Sequence, residues 1–247
     1  MKATTHLDDE HGQLHGHSNH HNVLLTGFGA FPGVPVNVSS LTAKLLAKGE
    51  AATTAAAHGV RVHHHTLPTS WRDTPIELQA LLDELKPVLV LMFGVAHRAQ
   101  GFILETQAHN LCREAKDAGG DMPSAAKVLA DAPARHQVTL PVGRIYDALS
   151  RGNLPVELSS DAGGYLCNTA LFHALNSTKI DLTTKPRRSA ARNGARKHRP
   201  MVGFVHIPVR YNGPTLSYWN RQRGAEIILA TCLETLQQAD TAQQPTV

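Results

Sequence analysis

The sequence contains few cysteines and few aromatic residues, and it has no long apolar run. Its 3 cysteines are widely and irregularly spaced, which predicts neither a disulfide framework nor a zinc knuckle. No stretch approaches the roughly 20 apolar residues of a membrane-spanning helix, and the first residues lack the apolar core of a secretory signal. With 42% hydrophobic residues and a mean hydropathy of −0.21, the chain is expected to be globular, cytoplasmic and not membrane-associated.

Acidic residues are absent between Thr184 and Met201, where seven lysines and arginines occur. Because the formal net charge is +4, removing these seven positive charges leaves −3 for the rest of the chain. The run contains no aromatic residue that could stack on bases. We therefore interpret 184–201 as a solvated loop insert and do not expect a nucleic-acid partner.

The N-terminal 21 residues have almost no apolar side chains but contain six histidines. Such a segment cannot bury enough surface to fold, so 1–21 is predicted to be a disordered tail. Its imidazoles are good metal ligands, but their irregular spacing favours a plain solvated tail. Residues 239–247 are predicted to be a second disordered tail, which leaves one α/β domain over 22–238.

Apolar strands alternate with amphipathic helices along that domain. The run PVLVLMFG (87–94) predicts a strand covered on both faces, and SSLTAKLLAKG (39–49) predicts a helix with a serine cap and a glycine stop. Further strands are predicted at 22–31, 59–68, 101–111, 154–160 and 201–209, and further helices at 70–87, 141–152, 168–176 and 217–238. This alternation predicts a three-layer α/β/α sandwich with a mostly parallel central sheet.

Three polar residues have sequence contexts that suit catalysis. Cys167 follows a glycine pair at a predicted helix start, where unpaired amides and the helix dipole favour a thiolate. His206 ends the apolar strand GFVHIP, and Glu105 is a lone carboxylate after three apolar residues. Together they would supply a nucleophile, a base and an orienting group, although each alone is also compatible with a structural role.

Several segments from about Val23 to about Leu236 resemble type I pyroglutamyl peptidases. The opening strand and loop LLTGFGAFPGVPVNVSS is similar to that family's T-G-F-x-x-F-x-G pattern followed by Asn. SSDAGGYLCNTALFHAL is similar to its nucleophile motif S-x-x-A-G-x-[YF]-[VL]-C-N, and GFVHIP resembles its histidine segment. LPTSW, VLVLMFGVA and ILETQAHN occur in the family's order and at its approximate spacing.

The resemblance implies a triad of Cys167, His206 and Glu105 that releases N-terminal pyroglutamate from peptides through a thioester. It also implies that Phe28 and Phe31 flank the lactam ring and that Asn37 helps to shape the same loop. A flat, largely apolar ring with one amide edge suits aromatic walls and a few hydrogen bonds. The resemblance implies no metal or organic cofactor, and it suggests that the chain forms a homo-oligomer.

The chain departs from the family pattern near the carboxylate. Thr106 stands where the family usually has an arginine, GVAHRAQG replaces a glycine-rich segment, and Ala115 replaces a second arginine, with Arg113 close by. Two alternatives therefore stay open at the level of sequence. One is a divergent or inactive member that binds a small ligand or a partner, and the other is an amidase of different acyl specificity.

Overall fold

The computed structural model of the chain describes residues 21–178, 199–209 and 216–241. Of the predicted N-terminal tail, all but His21 lies outside these ranges. Residues 184–198 of the predicted insert and 242–247 of the predicted C-terminal tail also lie outside them.

Within these ranges, six strands form the central sheet. They are β1 (His21–Phe28), β2 (Val60–Leu67), β3 (Leu89–Ala96), β4 (Phe102–Glu105), β7 (Val156–Ser159) and β8 (Met201–Pro208). Their order across the sheet is β2-β1-β3-β8-β4-β7, and every neighbouring pair is parallel except β4 with β8. Two short strands, β5 (Gln107–His109) and β6 (Arg135–Gln137), form a separate antiparallel pair.

Helices cover both faces of the sheet. One face packs against α1 (Val38–Leu46), α2 (Glu50–Ala57), α4 (Val142–Arg151) and α6 (Tyr218–Thr241), and the other against α3 (Asp73–Leu85) and α5 (Leu166–Ser177). Strand β3 is continuously apolar because it is covered on both faces. Leu91 and Phe93 belong to the core on the face of α1, α2, α4 and α6, and Val90 and Met92 belong to the core on the face of α3 and α5. The predicted three-layer sandwich is confirmed. No helix in the described ranges has the length and apolarity to cross a bilayer.

The structure differs from the predicted elements where side-chain signals are weak or misleading. Helix α1 is capped by Asn37 and not by a serine, because the Asn37 side chain accepts the Ser39 N–H at 3.1 Å. The sequence does not predict helix α2, because this alanine-rich segment has no apolar periodicity; the helix buries only Ala52 and Ala55. The last helix continues to Thr241, three residues beyond the predicted end.

The predicted strand 101–111 is divided in two. Strand β4 ends at Glu105, and β5 leaves the main sheet to pair with β6, which was not predicted. The division occurs at Thr106, whose N–H and hydroxyl both donate to the Ser159 carbonyl, at 2.7 and 2.8 Å. The strand thus ends with the Glu105 side chain buried inside the molecule.

Candidate active site

Cys167 is the second residue of α5 and is half-buried. Tyr165, the N-cap residue, has extended backbone and offers no side-chain cap. The amides of Leu166 and Cys167 therefore have no acceptor within the helix and are available to a bound oxyanion. The thiol lies over the sheet beside Gly94 of β3, where an added Cβ would come within 3.0 Å of Sγ.

Asn168 fixes the start of this helix. Its fully buried side chain donates to the carbonyls of His109 and Leu111, at 2.8 and 2.9 Å, and accepts the His109 N–H at 2.8 Å. All these partners follow Glu105 closely in the chain, so one amide side chain joins the nucleophile's helix to the segment after the carboxylate. The nucleophile motif contains this asparagine, but its structural partners could not be identified from the sequence.

His206 and Glu105 lie on the neighbouring strands β8 and β4. The Nδ1 atom of His206 is 2.8 Å from Oε1 of Glu105, and only 7% and 2% of the two residues are exposed. The antiparallel register pairs Ile103 with His206, which brings Glu105, two residues further along β4, to the same face of the sheet. A carboxylate at Nδ1 leaves Nε2 for the thiol, the arrangement that general-base activation of a nucleophile requires.

The environment of His206 favours the imidazolium. Burial disfavours the charged ring, but the charge and hydrogen bond of Cys167 and the hydrogen bond and charge of Glu105 together raise the pKa of His206 to about 10. The Cys167 sulfur and the Glu105 carboxyl group thus both interact with the ring and favour its protonated form. Such a ring is ready to donate a proton to a leaving amine.

The other two cysteines have a different environment. Burial raises the pKa of the Cys112 thiol, and it raises the pKa of the fully buried Cys232 thiol to about 12. Neither is therefore suited to act as a nucleophile at neutral pH. Within the described part of the chain, no group of three or more histidine, cysteine or acidic side chains could hold a metal ion.

A cleft of about 1330 Å³ opens over this group. Cys167, His206 and Glu105 line it, and so does Phe31 from the loop after β1. Phe28, in contrast, is 3% exposed and packs in the core, with its ring centroid 6.3 Å from that of Phe204.

Asn37 is buried away from the cleft. Its amide donates to the Gly29 carbonyl at 2.9 Å, and its oxygen accepts the Ser39 hydroxyl at 2.8 Å. Of the two aromatic residues implied to flank the ring, Phe31 thus lines the cleft and Phe28 lies in the core, while Asn37 holds the loop that carries Phe31.

Asp117 organises one wall of the cleft, and no motif in the sequence indicated it. Its buried carboxylate accepts the backbone N–H groups of Trp71, Gly119 and Asp121, each at 2.9 Å. Burial opposes ionisation, but these backbone donors outweigh it and lower the pKa of Asp117. The Trp71 indole N–H also donates to the Ala115 carbonyl at 2.7 Å, which stabilises this wall further.

Arg113 belongs to the same wall. Its backbone N–H donates to the carbonyl of Gly164 at 2.6 Å, three residues before the nucleophile, and its exposed side chain lines the cleft. A Cβ on Gly164 would lie 2.9 Å from the Cβ of Arg113, so this close approach requires glycine. The glycine before the nucleophile therefore lets the wall contact the start of α5.

A thiol at a helix start, an imidazole and a buried carboxylate on an α/β/α sandwich define the class of cysteine hydrolases. Residues 21–213 match the model of the family described as pyroglutamyl peptidase. The chain belongs to the pyroglutamyl peptidase family. The resemblance described from the sequence is thereby confirmed.

Relatives and solved structures agree with this assignment. A pyrrolidone-carboxylate peptidase of Vibrio vulnificus is 31% identical over 223 residues, covering 87% of this chain and 94% of the relative. One from Thermococcus litoralis is 30% identical over 187 residues, covering 75% and 76%. The solved structure of the Thermococcus litoralis pyrrolidone carboxyl peptidase superposes with a TM-score of 0.72 at 26% identity, covering 89% of this chain and 96% of that one.

Proposed function

We propose that this chain is a cysteine exopeptidase that hydrolyses the amide bond after an N-terminal pyroglutamyl residue. The observation that carries the proposal is the buried His206–Glu105 pair at 2.8 Å beside a half-exposed Cys167 at a helix start. The departures at Thr106 and Ala115 leave this group intact. Family membership supplies the substrate class, namely N-terminally pyroglutamylated peptides.

In the proposed reaction, the Cys167 thiolate attacks the pyroglutamyl carbonyl. The amides of Leu166 and Cys167 hold the oxyanion, and His206 protonates the departing amine through Nε2. Water then adds to the thioester with His206 taking its proton, and the C–S bond breaks, which releases pyroglutamate and restores the Cys167 thiolate beside the protonated ring. Glu105 keeps the ring oriented through Nδ1 in both steps. His206 supplies the proton of the departing amine and recovers a proton from the attacking water.

Recognition of the ring is assigned to the loop after β1. Phe31 offers an aromatic surface to the flat lactam, and Phe28 supports it from the core through its contact with Phe204. Asn37 sets the course of the loop through the Gly29 carbonyl. We thus assign Phe31 to direct contact and the other two to support.

Hydrolysis of a pyroglutamyl fluorogenic amide tests the proposal. The wild-type chain should turn the amide over, whereas Cys167→Ser and His206→Ala should lose at least about 10³-fold in kcat. Cys112→Ser is the matched control, because it removes a thiol outside the site and should keep wild-type kcat. A folded wild-type protein that binds pyroglutamate but releases no product would instead favour a binding module, and turnover of other acyl amides alone would favour a different amidase.

We also propose that the enzyme is a cytoplasmic homo-oligomer. Three free cysteines suit a reducing compartment. Large apolar side chains such as Trp219 and Val36 are 77% and 62% exposed, as interface residues are in an isolated chain. Light scattering coupled to size exclusion, with fractionation of the source cells, tests both statements, and a strictly monomeric species would contradict the first.

A further inference from the structure

We propose that Glu157 binds a cationic side chain two or three residues beyond the scissile bond, so that the enzyme prefers substrates with lysine or arginine there. This inference rests on the proposed function, since it concerns the leaving peptide of the same reaction. It assigns a specificity role to a residue outside the triad and outside the loop that carries Phe31.

The register of the sheet places Glu157 in one row with the general base. His206 on β8 pairs with Ile103 on β4, and Ile103 pairs with Glu157 on β7. Paired residues point to the same face, and neighbouring strands lie about 4.8 Å apart, so Glu157 is about 10 Å from His206 across the sheet. An extended peptide covers that distance in about three residues.

This row forms part of the cleft floor. Ile103 is partly exposed and Glu157 exposed, and both line the cleft with His206. At about 1330 Å³ the cleft is larger than the roughly 300–1,000 Å³ of sites for drug-sized ligands, which leaves space for several residues beyond the pyroglutamyl group. Ile103 offers an apolar surface to the first of these residues and Glu157 a carboxylate to the next.

The order of the strands sets the direction of the peptide. Phe31 follows β1, whereas β4 and β7 lie on the other side of β8. A ring held by Phe31 therefore directs the leaving peptide past His206 and over Ile103. Strand β7 is the last strand of the described sheet, so the cleft reaches the sheet edge there and a long peptide can leave.

The charges around Glu157 leave its carboxylate available. Within the described residues it forms no ion pair, whereas Glu105 is paired with His206 and Asp117 accepts backbone N–H groups. Asp161, also in the cleft, adds negative charge near this end. The cations of the cleft, Arg98, Arg113 and Lys116, follow β3 or belong to the wall beside α5.

The experiment compares peptides that differ only in charge. Pyroglutamyl pentapeptide amides carry lysine or glutamate at one position after the scissile bond and alanine elsewhere. The wild-type enzyme should favour lysine over glutamate by about tenfold in kcat/KM at the second or third position. Attraction of lysine to the Glu157 carboxylate accounts for about threefold of this ratio, and repulsion of glutamate for about threefold more. Glu157→Gln should abolish most of this preference, Glu157→Lys should reverse it, and about 1 M salt should suppress it.

Two controls separate this inference from the function on which it rests. The single-residue fluorogenic amide does not reach Glu157, so Glu157→Gln should hydrolyse it at the wild-type rate. If the wild-type enzyme does not hydrolyse this amide, the result concerns the triad and not Glu157. In that case, binding of both peptides to Cys167→Ala measures the same preference without turnover. Glu84→Gln, the same change on the distant helix α3, should keep the lysine preference. A preference that is absent in wild type, survives in Glu157→Gln or disappears in Glu84→Gln overturns the inference.

Discussion

Gly94 is predicted to be essential for the position of the nucleophile, and Gly94→Ala tests this. A Cβ at this residue would lie 2.5 and 2.7 Å from ring atoms of Phe204 and 3.0 Å from Sγ of Cys167. Ordinary carbon contacts require about 3.5–4.0 Å. The Phe204 ring, which is 1% exposed, has little space to move away, and the thiol must give way by a few tenths of an ångström.

The magnitude of the effect follows from these distances. Overpacking of a core costs about 1–3 kcal/mol, which lowers the Tm of a chain of this size by about 2–4 °C for each kcal/mol. Misplacement of a reacting atom by about 1 Å costs about 100-fold in rate. A displacement of a few tenths of an ångström should cost less, so we expect Gly94→Ala to remain folded at an ordinary assay temperature of about 25 °C, but to lose about tenfold in kcat/KM for the pyroglutamyl amide.

Gly203→Ala is the matched control. Gly203 lies on the adjacent strand β8, and its Cβ would come within 2.3 Å of Leu140 in the core of the opposite face. It should lower Tm by a similar amount and leave kcat/KM near the wild-type value. If Gly94→Ala keeps wild-type kcat/KM, or if both variants lose activity in proportion to their loss of folded protein, the reasoning about the thiol is wrong.

Three further predictions concern the imidazole, the ring pocket and the cleft wall. The raised pKa of His206 stabilises the fold fully below pH 6.5, and this contribution is lost as pH rises through about 10. The free energy of unfolding measured with urea should therefore fall more over that interval in wild type than in His206→Gln. Phe31→Ala should raise KM about tenfold with little change in Tm, whereas Phe28→Ala should cost about 3–5 kcal/mol of unfolding free energy. Asp117→Asn should cost about 2 kcal/mol by urea unfolding, and because the pKa of Asp117 is lowered, the stabilisation is present above pH 3.8 and lost as pH falls.

Each of these has a contrary outcome. Equal pH dependence in wild type and His206→Gln would mean that the imidazole is neutral in the folded chain. A large loss of Tm in Phe31→Ala would place that ring in the core. Wild-type stability in Asp117→Asn would show that its three backbone hydrogen bonds do not hold the cleft wall.

The layer architecture could be predicted from sequence because burial on two faces leaves a distinct pattern. The run at 87–94 and the helix at 70–87 each correspond to one element, β3 and α3, because apolar spacing reports burial directly. Strand direction leaves no such pattern. The antiparallel placement of β4 beside β8, which brings Glu105 to His206, depends on tertiary pairing alone.

The start of α5 shows a second limit. Tyr165 caps the helix by backbone geometry without a side-chain hydrogen bond, so no serine, threonine or aspartate marks the boundary, and the predicted start at 168 is two residues late. The two missing residues include the nucleophile. The importance of Gly94 also could not be predicted from the sequence. It depends on the side chain of Cys167, which is 73 positions away in the chain and lies beside Gly94 only in the fold.

The hydrogen bonds of Asn168 have a consequence for how the family can diversify. Because this side chain ties the sulfur-bearing helix to the residues just after the carboxylate, their spacing does not depend on the connection from Thr178 to Arg199. Changes of length or charge in that connection should therefore leave the spacing of Cys167 and Glu105 unchanged. A basic segment there does not require the nucleophile to move relative to the carboxylate.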